Sequence, residues 1–157
     1  MKLLLINSVC GTGSTGRICE QIAKEYESKG WEVRIAYGRR SSTEGGNEAE
    51  RRYGLRIGTD TDIRLHGVAT RVYDPHGFAS KHATRKFLEW ADDYDPDVIW
   101  LHNIHGYYIN IEFHFDWIKA RQQCEIKRNA PTAPGEEKKT RALWILYRID
   151  AFRRLEE

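Results

Sequence analysis

Lys2-Leu3-Leu4-Leu5-Ile6-Asn7-Ser8-Val9-Cys10-Gly11-Thr12-Gly13-Ser14-Thr15-Gly16-Arg17 is the stretch from which the fold of this chain can be read. Leu3 to Ile6 form a continuous apolar run, too short for a helix, of the kind found in strands covered on both faces. Three glycines and two hydroxyl residues follow, and behind them an apolar pattern of period 3.6 begins. Strand, glycine-rich loop and helix in that order form the opening of a parallel α/β sheet. The helix start presents unpaired N–H groups and the positive end of its dipole, which favour a phosphate or a developing oxyanion near Gly13 to Gly16. A tight turn that binds nothing is the plain alternative, but such a turn requires fewer glycines and hydroxyls.

Outward from that stretch, Ile18, Cys19, Ile22, Ala23 and Tyr26 share one helix face, and Gly30 is placed to end the helix. Trp31 to Tyr37 then alternates as a second strand, completing one right-handed crossover unit. Gly38 to Tyr53 is polar and reads as a surface loop, with Arg39, Arg40, Arg51 and Arg52 either solvated or meeting a phosphate. Leu55 to Ile57 fits a short strand, and Asp62 to Tyr73 a short helix with Ile63, Val68 and Val72 inward. Asp74 to Phe78 has turn chemistry, and Ala83, Phe87, Leu88 and Ala91 mark a further helix.

Val98-Ile99-Trp100-Leu101 is another apolar strand, left through His102-Asn103-Ile104-His105-Gly106-Tyr107-Tyr108. Ligands of open parallel sheets sit at the carboxyl ends of strands. His102, Asn103, His105 and Tyr107 therefore form a second candidate site, on the same side as Gly11, Gly13, Ser14, Thr15, Gly16 and Arg17. Their alternative role is to satisfy local backbone and each other. Ile111, Phe115 and Ile118, with Phe113 and Trp117, predict a helix apolar over much of its circumference.

The whole pattern predicts an α/β, Rossmann-like parallel sheet with helices on both faces, over residues 1–120. At 157 residues one such domain is what the length allows. Lys and Arg total 25 against 23 Asp and Glu, which gives no electrostatic case for nucleic acid. Cys10, Cys19 and Cys124 are odd in number and lack metal-type spacing, so reduced thiols in a cytoplasmic protein are expected, with no metal and no resident cofactor. The apolar runs are too short for a signal peptide or a membrane span, leaving at most a peripheral membrane contact.

INSVCGTGSTGRI, VRIAYGR, DPHGFASKHAT and IWLHNIHGYYINIE together resemble the amino-terminal half of bacterial family-four glycosyltransferases of the capsule, colanic acid and exopolysaccharide biosynthesis type. The resemblance spans about residues 1–119 and implies the first Rossmann-like domain of a GT-B fold. It also implies an acceptor site built from the loops at Gly11 to Gly16 and His102 to Tyr108, with the nucleotide-sugar donor held mainly by a second domain. The parent activity implied is transfer of a sugar from a nucleotide sugar to a growing, lipid-linked, cell-surface glycan, near the inner membrane. This chain is then expected to be truncated, and inactive alone or docked on a separately encoded donor domain. Residues 121–141 read as a polar linker and 142–157 as a degenerate strand and helix tail, where Tyr147 and Arg148 replace the family's His-Asp pair. An NADP-binding domain is the competing reading, from Gly11-x-Gly13-x-x-Gly16 and Arg39-Arg40. Asn7 to Cys10 between strand and first glycine speak against it.

Overall fold

The computed structural model describes residues 1–41, 44–73, 80–104, 107–128 and 144–147. Five parallel strands, β1 (Lys2–Val9), β2 (Glu32–Arg39), β3 (Gly54–Arg56), β4 (Val98–Leu101) and β5 (Trp144–Tyr147), form one sheet in the order β3-β2-β1-β4-β5. The chain thus has the Rossmann-like α/β fold expected from its sequence. Strand order reverses between β1 and β4, which places the topological switch point at the carboxyl ends of these two neighbours.

Alternate residues of β1, β2 and β4 feed two separate cores. Leu3, Leu5, Val33 and Ile35 pack with Cys19 and Ala23 of α1 (Gly13–Ser28), while Leu4, Ile6, Ile99 and Leu101 pack with Phe87 and Ala91 of α4 (Lys81–Tyr94). Both faces of β1 are covered, and Leu3 to Ile6 are fully buried, as a run without polar interruption requires. Gly30, at φ +80°, follows the end of α1 in the left-handed conformation expected of it.

Four departures from the sequence reading have identifiable causes. Gly38 to Tyr53 is not a loop throughout: β2 runs to Arg39, and α2 (Glu48–Tyr53) starts at a capping box in which Asn47 and Glu50 bond each other's backbone N–H. Ala49 and Tyr53 of this short helix are buried on the α1 side of the sheet. In α3 (Asp60–Tyr73), Ile63 packs on the core but Val68 is 58% exposed, and the buried position is taken by His66. The side chain of Val72 and the turn at 74–78 lie outside the described residues.

α5 (Ile111–Arg128) carries its inward stripe at His114 and Ile118, with Ile111 and Phe115 only half-buried. It continues through residues 121–128, where the sequence predicts linker. Arg121 closes the α4–α5 contact by bonding Asp92 and Asp95, beside an indole N–H of Trp117 that donates to Asp92. Residues 129–143 and 148–157 lie outside the described part.

Candidate functional site

Two loops leave the switch point. The first turns from β1 into α1 and spans Cys10 to Thr12; the second leaves β4 at His102. Because β1 and β4 are hydrogen-bonded neighbours running the same way, the loops share one edge of the sheet. The ladder continues one step past the Ile6–Leu101 pair, since the His102 N–H donates to the Ile6 carbonyl at 2.9 Å. Strand alternation then puts Asn7 and His102 side by side on the α1 face. The His102 ring stacks on Trp100, which belongs to that face, at 5.2 Å and 15°.

Asn7 is fully buried directly beside the first turn of α1, with its side-chain N–H₂ donating to the Val9 carbonyl at 2.8 Å and reaching Thr15 Oγ1 at 3.4 Å. Its Oδ1 has no hydrogen-bond partner, an expensive condition for a buried acceptor. Above it, α1 begins without a side-chain cap: Thr12 has extended backbone angles suited to capping but makes no side-chain cap bond. The dipole and the first-turn N–H groups are left to another acceptor.

The glycines divide the labour. Gly11 (φ +66°) is closely packed, and a Cβ there would lie 2.6 Å from Asn47 Oδ1 and 2.7 Å from the Ala49 Cβ. Gly16 is buried against Val9. Gly13 (φ +63°) has nothing within 4 Å of a Cβ and is exposed, as are Ser14 and Arg17. Only the middle glycine therefore borders open space. Asn47 also donates from Nδ2 to the Cys10 carbonyl at 2.7 Å, tying α2 to the loop.

In the second loop Asn103 is half-buried and its carbonyl accepts from the Tyr108 hydroxyl at 2.8 Å. Tyr108 is buried over Gly38 so closely that a Cβ on that glycine would meet the tyrosine at 2.2 Å, which carries the β4 loop across the sheet edge to the end of β2. Tyr107 is thereby turned outward in the left-handed conformation (φ +62°), 39% exposed, with its ring edge-on to His66 at 5.5 Å. His105 lies outside the described residues.

The edge thus brings together Gly13, Ser14, Thr15, Gly16 and His102, while Tyr107 faces out from the far part of the loop. The sequence reading missed Asn7 and His66. His66 Nδ1 pairs with Ser80 Oγ (2.8 Å) and its ring lies edge-on to Tyr107, and burial lowers its pKa from the ordinary histidine value. Asn7 had a signal, a polar residue ending an apolar strand just before the glycines; His66 had none beyond its helix face.

Burial pushes both Cys10 and Cys19 up to about 12, so each stays protonated and a poor nucleophile. Among the described residues no group of three or more His, Cys, Asp or Glu could hold a metal ion, and no helix is long and apolar enough to cross a membrane. The chain matches no model of a known protein family, no curated protein and no solved structure.

Proposed function

We propose that this chain is the acceptor-side domain of a glycosyltransferase, holding a hydroxyl-rich or phosphorylated sugar at the carboxyl edge of β1 and β4. The observation that carries the reading is the fully buried Asn7 with an unpartnered Oδ1, set between His102 and the uncapped first turn of α1. An acceptor oxygen, ring nitrogens and helix N–H donors in one place suit a ligand with both hydroxyls and an anionic group. They supply recognition rather than a complete reaction, because sugar transfer between two substrates needs a second wall to hold the donor. The resemblance of LHNIHGYYINIE and the glycine loop to family-four glycosyltransferases selects sugar transfer among the chemistries such an edge serves.

The test is titration of the ¹⁵N-labelled chain with glucose 1-phosphate and, separately, NADPH. Shifts at Gly13 to Gly16 and His102 with the sugar phosphate, lost in Asn7→Leu, are expected, together with no turnover of common nucleotide sugars by this chain alone. Saturable NADPH binding that perturbs Arg39 and Arg40 while the sugar phosphate leaves the edge unmoved would replace this reading with the dinucleotide one.

A further inference from the structure

A concavity lies away from this edge, near the amino end of β2. β3 begins opposite Ile35, so Glu32 to Arg34 of β2 overhang the sheet border, and the space between this overhang and the last turns of α4 is a cavity of about 310 Å³. Glu32, Arg34, Gly54, Leu55, Trp90 and Tyr94 line it.

Its chemistry is unusually specific. Phe87, Trp90 and Tyr94, at helical spacing on α4, form a column of stacked rings, with centroids 6.4 and 4.9 Å apart, closed at the end by the Lys2 ammonium over Tyr94. The faces of Trp90 and Tyr94 are occupied in this way, so the cavity meets ring edges, which carry the positive end of the aromatic quadrupole. Arg34 is half-buried and Glu32 exposed, and among the described residues neither side chain makes a hydrogen bond or an ion pair. The cation is therefore deep and the anion at the rim.

We infer that this cavity binds a zwitterion of the aromatic α-amino acid class. The carboxylate meets the planar fork of Arg34, which matches it bidentately, and the ammonium meets Glu32 at the rim. The side-chain ring lies against Leu55 with its face toward the edges of Trp90 and Tyr94, the preferred edge-to-face arrangement. A simple anion would be opposed by Glu32 and a simple amine by Arg34. The cavity volume falls at the low end of small-molecule sites, which suits one amino acid rather than a peptide.

Calorimetric titration of the full chain with L-phenylalanine, 3-phenylpropionate, phenethylamine and methyl glucoside tests this. Saturable binding of phenylalanine is expected, with each single-charge analogue and each of the variants Arg34→Gln and Glu32→Gln weaker by at least about tenfold, the worth of one charge-assisted hydrogen bond. Thermal unfolding of both variants should match the parent, since neither side chain has a described partner to lose. Equal binding of either analogue, preference for the glucoside, or no saturation by about 10 mM phenylalanine, beyond the millimolar range, overturns the assignment. Because the site is remote from Asn7, Asn7→Leu should leave phenylalanine binding intact, so this proposal and the sugar-binding one fail independently.

Discussion

The starts of α1 and α2 lie against each other and solve the same problem in opposite ways. At α2, Asn47 accepts from the Glu50 N–H and Glu50 accepts from the Asn47 N–H, while the Glu50 carboxylate also takes the Ser41 N–H and hydroxyl. At α1, the cap position is filled by a residue able to cap that does not. A helix start closed by its own sequence is structural; one left open beside a buried amide oxygen that lacks a partner leaves its N–H groups to an outside acceptor. Asn47 joins the two, since its Nδ2 holds the Cys10 carbonyl at the base of the open loop. The closed helix thus braces the open one.

The largest effect should come from filling the joint between them. Gly11→Ala sets a Cβ into Asn47 and Ala49 at a positive φ, and is expected to cost about 3 kcal/mol from strain and overpacking together. Gly13→Ala meets only the positive φ, with open space around it, and should cost about 1 kcal/mol. Chemical denaturation of the two variants checks the order. If Gly13→Ala proved as costly as Gly11→Ala, the middle glycine would be structural too and the open site would lose its opening.

A buried, unpartnered polar group is not by itself a binding feature, and His114 shows the difference. It is fully buried in α5 with neither ring nitrogen hydrogen-bonded, and burial pushes its pKa from 6.5 down to about 4. The folded state therefore resists a proton that the unfolded chain accepts, so stability is complete above pH 6.5 and falls as pH drops from there toward 4, by about 3 kcal/mol in all. His114→Leu should remove that acid slope and stabilise the protein at neutral pH, whereas Asn7→Leu should abolish sugar-phosphate binding. Unfolding curves at pH 7 and pH 4.5 decide it; an unchanged acid slope in His114→Leu would show that another group carries it.

What the sequence made legible follows the range of the forces involved. Leu3 to Ile6, the glycine loop and Val98 to Leu101 are local signals, and the first strand-helix-strand unit follows from them, whereas the seating of β4 beside β1, about forty residues after β3, is settled only in the assembled sheet. Four residues, Asn47-Glu48-Ala49-Glu50, did contain the capping signature of α2, but the polar surroundings masked a six-residue helix. The inward turn of His66 and His114, and the outward turn of Val68, depend on which helix face meets the sheet, and periodicity allowed either. Asn7 was visible as a residue but not as an orphan, because lack of a partner is a property of the assembled edge.

Removing the brace tests the coupling of the two helix starts. Asn47→Ala loses the cap of α2 and the bond to the Cys10 carbonyl, and should cost about 2 kcal/mol, above the ~1 kcal/mol typical of a cap alone. It should also weaken glucose 1-phosphate binding through the loosened loop. Affinity equal to the parent would mean that α2 supports the fold without supporting the site.

The smallest stability change is the most informative. Thr12→Asp places a carboxylate at a cap position whose backbone, at φ −126° and ψ 155°, already suits it. Its oxygen should accept a first-turn N–H and its charge should meet the dipole, stabilising the protein by about 0.5–1 kcal/mol. The same carboxylate would occupy the donors offered to a phosphate and repel it, so glucose 1-phosphate affinity should fall about tenfold, the worth of one charge-assisted bond. Thr12→Ser retains the hydroxyl and should change neither quantity. Stability and binding must therefore move in opposite directions at this one position if the open start of α1 serves a ligand. A Thr12→Asp protein that gains stability and binds as before would place the phosphate elsewhere, and one that gains no stability would mean that the first-turn N–H groups already have a partner within the fold.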